Sequence, residues 1–129
     1  MIGVERTDFV GIPVTDRERA VQFYGETLGL RRNELAHEEW PEFETGNVTI
    51  LLNTPEQTGV PISPSNTAIA LRVPDVGAAM EKLRAEGVEF FHEGPYDSGV
   101  CHMAFFKDPD GNSLILHHRH APYADGSTP

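Results

Sequence analysis

Residues 9–30 read FVGIPVTDRERAVQFYGETLGL: an apolar run, Phe9 to Val14, that gives way at Thr15-Asp16 to a helical pattern. The run has strand character. Thr15 and Asp16 are both good helix N-cap types, and Thr15 with Glu18 has capping-box spacing. Behind them Ala20, Val21, Phe23, Tyr24 and Leu28 recur at helical intervals, and Gly29 is a natural stop. Working outward, a strand is expected at Leu30 to Asn33. A polar stretch through His37 then leads into the alternating Trp40-Pro41-Glu42-Phe43-Glu44. Gly46-Asn47 signals a tight turn, and Val48 to Leu52 is a β-rich strand behind it. The order is β-α-β-β-β.

The same order begins again in residues 68–90, AIALRVPDVGAAMEKLRAEGVEF. Ala68 to Val73 is an apolar run, Pro74-Asp75 opens a helix with Ala78, Ala79, Met80 and Leu83 as its buried stripe, and Gly87 closes it. Val88 to His92 reads as a strand, Glu93 to Gly99 as a loop, Cys101 to Lys107 as a strand, Asp108 to Asn112 as a turn and Ser113 to His117 as a last strand. Asp16 and Asp75 stand 59 positions apart, and that shift lays Val10, Ile12 and Val14 on Ile69, Leu71 and Val73. Gly46-Asn47 and Gly111-Asn112 stand 65 apart, which lays Ile50 on Ile115. The chain therefore repeats one unit: module one spans about 8–53, a Pro-rich connector 54–66, module two about 67–118 and a tail 119–129 that reads as frayed. The expected fold is α+β, two βαβββ modules forming one curved mixed sheet around a concave cavity.

Composition bounds the function. In 129 residues there are 10 Lys+Arg against 20 Asp+Glu, a formal net charge of -10. That balance argues against nucleic acid or anionic membrane as partner, since both are held by clustered cations. No apolar run approaches the ~18 residues of a membrane span, the start MIGVERTDFV lacks the pattern of a secretory signal, and Cys101 is the only cysteine. A single cytoplasmic domain follows as the expectation.

Three segments together, residues 9–30, residues 68–90 and the turn FFKDPDGNSL at 105–114, resemble the vicinal oxygen chelate superfamily of glyoxalase I, bleomycin-resistance proteins, fosfomycin-resistance enzymes and extradiol dioxygenases. The resemblance covers residues 8–118. It implies the βαβββ fold, and in the metal enzymes of that superfamily ligands on the first and last strand of each module point into the cavity. Carried over residue by residue, those positions are Phe9 and Ala68, seven before each helix-start Asp, and Ile115 with its counterpart Ile50. All four are apolar. The resemblance therefore implies a binding protein of the bleomycin-resistance type, a homodimer with no metal and no cofactor.

Period-two alternation assigns the faces. With Val10, Ile12, Val14, Ile69, Leu71 and Val73 under the helices, Phe9, Gly11, Pro13, Ala68, Ala70 and Arg72 face the cavity, joined by Val48, Ile50 and Leu52 and by Ser113, Ile115 and His117. The expected pocket is mostly apolar, with Trp40 at its rim, Glu44 and His102 near it, and Arg72 placed to clamp an acidic group or pair with a glutamate. Cys101 reads as a small buried hydrophobe. The expected ligand is a drug or metabolite, cationic or aromatic. Two other functions remain open: a metal-dependent glyoxalase-type lyase or dioxygenase using His102, Glu44 and His117 as substitute ligands, and a regulatory domain whose cavity its own side chains fill. The cluster His117-His118-Arg119-His120 reads as a strand end passing into solvent.

Overall fold

In the computed structural model residues 1–64 and 67–128 are described, and the chain divides into two compact units, Met1–Pro64 and Ser65–Pro129. Module one contains β1 (Phe9–Pro13), α1 (Arg17–Gln22) running on into a π-helical turn (Phe23–Thr27), β2 (Arg31–Arg32), β3 (Glu42–Glu44), β4 (Thr49–Asn53) and a short α2 (Pro55–Thr58). Module two contains β5 (Ile69–Arg72), α3 (Val76–Ala85), β6 (Tyr96–Asp97), β7 (Cys101–Lys107) and β8 (Ser113–Arg119). Each module carries its own four-stranded mixed sheet, ordered β1-β4-β3-β2 in the first and β5-β8-β7-β6 in the second. The first and last strands pair in parallel, β1 with β4 and β5 with β8, while the other pairs are antiparallel.

Both helices start as the side chains dictate. The Asp16 carboxylate accepts from Arg19 N–H at 3.1 Å and that of Asp75 from Ala78 N–H at 3.0 Å, each satisfying a first-turn donor that has no partner within the helix. The cap of α1 is thus Asp16, not a Thr15–Glu18 box. The cores follow the repeat. In module one Ile12, Val14, Ala20, Tyr24, Phe43 and Leu52 are buried, with the Tyr24 and Phe43 rings 6.2 Å apart. In module two the buried set includes Val76, Met80, Phe106, Leu114 and Leu116.

Three elements differ from expectation. The Pro-rich connector begins with α2, because Pro55 fits a first helical turn and Thr54 and Gln57 form a reciprocal capping box; Ser65 and Asn66 lie outside the described residues. Val88 to His92 is not a strand, and the strand is Tyr96–Asp97 inside the stretch read as loop. Arg84 Nη2 donates to the carbonyls of His92 at 2.9 Å and Glu93 at 2.6 Å, and Phe91 N–H donates to Phe105 O of β7 at 3.2 Å, so the segment is held between α3 and β7 without forming a ladder. Pro95 contributes no N–H, and the ladder with β7 begins at Tyr96. The tail is folded rather than frayed up to Ser127: Tyr123 N–H donates to Ser127 O at 2.9 Å, and the Arg119 guanidinium lies 4.5 Å from the Tyr123 ring centre.

Gly25 and Gly77 make a contrasting pair. A Cβ on Gly25, in the π turn, would stand 3.1 Å from Phe43 Cε1, whose ring is buried, whereas one on Gly77 in α3 meets nothing nearer than 3.5 Å. Gly25→Ala is expected to lower stability by about 1–3 kcal/mol through overpacking, and Gly77→Ala to raise it by about 0.5–1 kcal/mol through helix propensity. Urea unfolding of the two variants checks both signs.

Candidate functional site

Strand register sorts the candidates that lie in strands onto one face or the other. In module one Phe9 pairs with Thr49, Gly11 with Leu51 and Pro13 with Asn53, and Glu42 and Glu44 of β3 stand opposite Leu51 and Thr49. These residues share the face turned away from the core. The core face carries Ile12, Ile50, Leu52 and Phe43, each at most 4% exposed.

Ile50 is therefore a core residue and not a cavity residue, and with it Val48 and Leu52 leave the open face. The cause is one extra residue. Val10 pairs with Ile50, and its repeat counterpart Ile69 pairs with Leu114, so the last strands correspond by a shift of 64, not the 65 that the Gly-Asn turns suggest. Val48 stands between Asn47 and β4, while β8 begins directly after Asn112. The true counterpart of Ile115 is Leu51.

In module two the register runs from β5 through β8 to β7. Ala70 pairs with Ile115, which stands opposite Phe105, and Arg72 pairs with His117, opposite Met103. Ala68 leads into this face just ahead of β5. His102 does not belong to it: its partners are Asp97 and His118, so it shares the opposite face, where His118 Nδ1 donates to Val73 O at 2.9 Å. His102 and His117 therefore lie on opposite faces of the module-two sheet, and the register does not bring their imidazoles together. Cys101, opposite Arg119, is half-buried.

The open face of module one is polar rather than apolar. Both Glu44 carboxylate oxygens accept from Thr49 Oγ1, at 3.1 and 3.0 Å, and Glu42 Oε1 accepts from Asn33 Nδ2 at 3.3 Å. Beside them lies an open hollow of about 660 Å³ whose lining includes Arg6, Asp8, Arg31, Glu44 and Thr49. Trp40 is half-buried in the turn preceding β3, its N–H donating to His37 O at 2.9 Å. Of the positions that a cation would need on these faces, Phe9, Leu51, Ala68 and Ile115, none carries a side-chain nitrogen, oxygen or sulfur.

Ligand-type donors converge elsewhere, at the end of the module-two sheet. His102 Nε2 lies 3.3 Å from Asp97 Oδ2 and His120 Nε2 lies 3.1 Å from Asp97 Oδ1. The His120 hydrogen bond, then the Gly99 N–H at 2.8 Å, then the charges of the two imidazoles hold the Asp97 carboxyl below its ordinary pKa. Asp97 was missed because it lay in an expected loop, whereas His120 stood in the noticed His117-His118-Arg119-His120 cluster, which resembles a weak metal tail but was read as a strand end passing into solvent.

Comparison with known proteins identifies relatives of this arrangement. The family described as Glyoxalase/Bleomycin resistance protein/Dioxygenase superfamily matches residues 6–116. A probable lactoylglutathione lyase from Vibrio parahaemolyticus is 32% identical over 114 residues, covering 80% of this chain and 83% of the relative. TnmS3, an antibiotic binding protein from Streptomyces sp. CB03234, superposes with a TM-score of 0.74 at 26% identity, covering 92% of this chain and 99% of that one. A superfamily member from Sphaerobacter thermophilus does so at 0.74 and 25% identity, covering 88% and 97%.

The register correction has a direct consequence for stability. Ile50→Ala is expected to cost about 2–5 kcal/mol, as a fully buried truncation does, and Leu51→Ala, half-buried on the open face, less than half of that; chemical denaturation of both variants measures the difference.

Proposed function

The chain belongs to the Glyoxalase/Bleomycin resistance protein/Dioxygenase superfamily, and from that premise we propose that it binds a small organic molecule on its open sheet faces and does not turn one over at a metal there. One observation carries the reading: Phe9, Leu51, Ala68 and Ile115 offer no lone pair to an ion at the positions where the superfamily's metal enzymes place ligands. A divalent cation needs several such donors converging, and one missing ligand can be replaced where four cannot. The residues fit organic contact instead. Phe9 is 55% exposed, a large apolar surface for an isolated strand position, and Ile115, Phe105 and Met103 add an apolar area on the second module.

The ligand class we infer is a cationic, partly aromatic molecule of antibiotic or metabolite size. The net charge of -10 raises the local concentration of cations, and Glu42 and Glu44 present carboxylates on the module-one face. Arg72 and His117, cross-strand neighbours on the module-two face, suit a carboxylate or phenolate on the same molecule. The antibiotic-binding relative TnmS3 supports the binding reading. The working unit we expect is a homodimer in the cytoplasm.

A lyase is the competing function, favoured by the 32% identity to the Vibrio relative. The two separate in one experiment. Quenching of Trp40, the only tryptophan, is followed while untagged protein is titrated with cationic glycopeptides, planar aromatics and glutathione thiol adducts, and conversion of a glutathione–ketoaldehyde adduct to lactoylglutathione is assayed with added Ni²⁺, Zn²⁺ or Mn²⁺. Saturable binding without turnover is expected. Glu44→Gln should weaken a cationic ligand about tenfold, or about 1.4 kcal/mol. Metal-dependent turnover, or silence across the whole panel, overturns the proposal.

A further inference from the structure

We propose that Asp97, His102 and His120 form a binding site for a divalent transition-metal ion of the Zn²⁺, Ni²⁺ or Co²⁺ class, on module two and apart from the open face that carries Arg72 and His117. One ligand atom from each of the three lies within 4.8 Å of the others. Both imidazoles turn Nε2 toward the same carboxylate, one to each oxygen, at 3.3 and 3.1 Å, and the ring centres are 4.8 Å apart. Around a tetrahedral ion with bonds of about 2.0–2.2 Å, donor atoms stand about 3.3–3.6 Å from one another. Small χ rotations of the two rings close the remaining gap.

The backbone holds the three positions in place before any ion arrives. Asp97 and His102 are cross-strand partners between β6 and β7. His120 follows β8, with its N–H on Val100 O at 2.9 Å and that of Ala121 on the same oxygen at 3.1 Å, so the chain end is tied to the β6–β7 turn. Gly99 N–H on Asp97 Oδ1 at 2.8 Å orients the carboxylate from its second shell of contacts. Binding therefore orders little that is not ordered already, which is where affinity is gained.

Chemistry selects the ion. Two imidazole nitrogens and one carboxylate suit borderline cations, whereas Mg²⁺ and Ca²⁺ call for an all-oxygen set. The side chains of Asp97, His102 and His120 are 53, 43 and 36% exposed, so an ion enters directly from solvent and keeps water in its remaining positions. The net charge of -10 favours its approach. The site uses no residue of the proposed organic ligand site and stands whether or not that proposal does.

Isothermal titration of the untagged full chain with ZnCl₂ and NiCl₂ tests the site. One equivalent bound, with Asp97→Asn and His120→Ala each weakening it about tenfold or more and His117→Ala on the opposite face leaving it unchanged, is the expected result. Circular dichroism verifies that each variant is folded. Should a variant fail to fold, ¹⁵N spectra of the wild type decide: Zn²⁺ shifts the Nε2 signals of His102 and His120 while those of His37 and His117 stay. Absence of saturable binding below about 1 mM, unchanged binding in both folded variants, or loss of binding in His117→Ala overturns the site.

Discussion

Parallel pairing of the first and last strand of each module is the constraint on which the rest depends. Two parallel neighbours cannot be joined by a tight turn and need a crossover, and here the helix and the two intervening strands together make up that crossover. Once β1 lies beside β4, every side chain on both strands is committed to one face or the other, since a slip of one residue would exchange core and surface. The same holds for β5 and β8. There Leu114 and Leu116 are 1 and 3% exposed, while Ser113, Ile115 and His117 between and beside them keep partial access to solvent.

The two modules meet this constraint with different materials. Module one crosses over with six α-helical residues and a π turn, and fills its core with aromatic rings, Phe23 edge-on to Tyr24 at 5.3 Å and Tyr24 tilted against Phe43. Gly25 is the small residue that lets the π turn approach Phe43 this closely. Module two uses a ten-residue helix and a core that combines aliphatic side chains and Met80 with the Phe106 ring, 5.3 Å from that of Phe90, and Arg84 ties down the chain after α3, its guanidinium 5.4 Å from the Phe90 ring centre while it donates to the His92 and Glu93 carbonyls. The Asp108–Asn112 turn is similarly self-contained: buried Asp108 accepts from the N–H groups of Asp110 and Asn112 at 2.9 Å and from Asn112 Nδ2 at 2.8 Å, so its carboxylate leaves water without leaving hydrogen bonds.

Most of the fold was legible because its signals are local. Asp16 and Asp75 announce helices through their own side-chain bonds, Gly29 and Gly87 end them at φ of 74° and 89°, and the Asp-Pro-Asp-Gly-Asn turn is built from contacts within five residues. What was hidden is non-local. The strand Tyr96–Asp97 is two residues long and is defined by its pairing with Met103 and His102 of β7. Assigning Ile50 to the open face failed by one residue, since turn motifs align loops while parallel register aligns strands, and Val48 makes the two disagree. The polarity of the module-one face was visible in the alternation Glu42-Phe43-Glu44 but was outweighed by the expectation of an apolar cavity.

Register also decides where metal-ligating side chains can converge on this scaffold. A cation site needs donors on adjacent strands of the same face, at positions that pair or nearly pair. In the open faces those positions are Phe9 with Thr49, Gly11 with Leu51 and Ala70 with Ile115, and no pair contains two strong donors. Replacing a single apolar residue there by histidine would supply one lone pair and no partner. On the opposite face of module two, Asp97 pairs with His102 and His102 with His118, and the chain turns back to bring His120 beside them. Imidazole and carboxylate groups thus come together at the end of the core-side face of the module-two sheet.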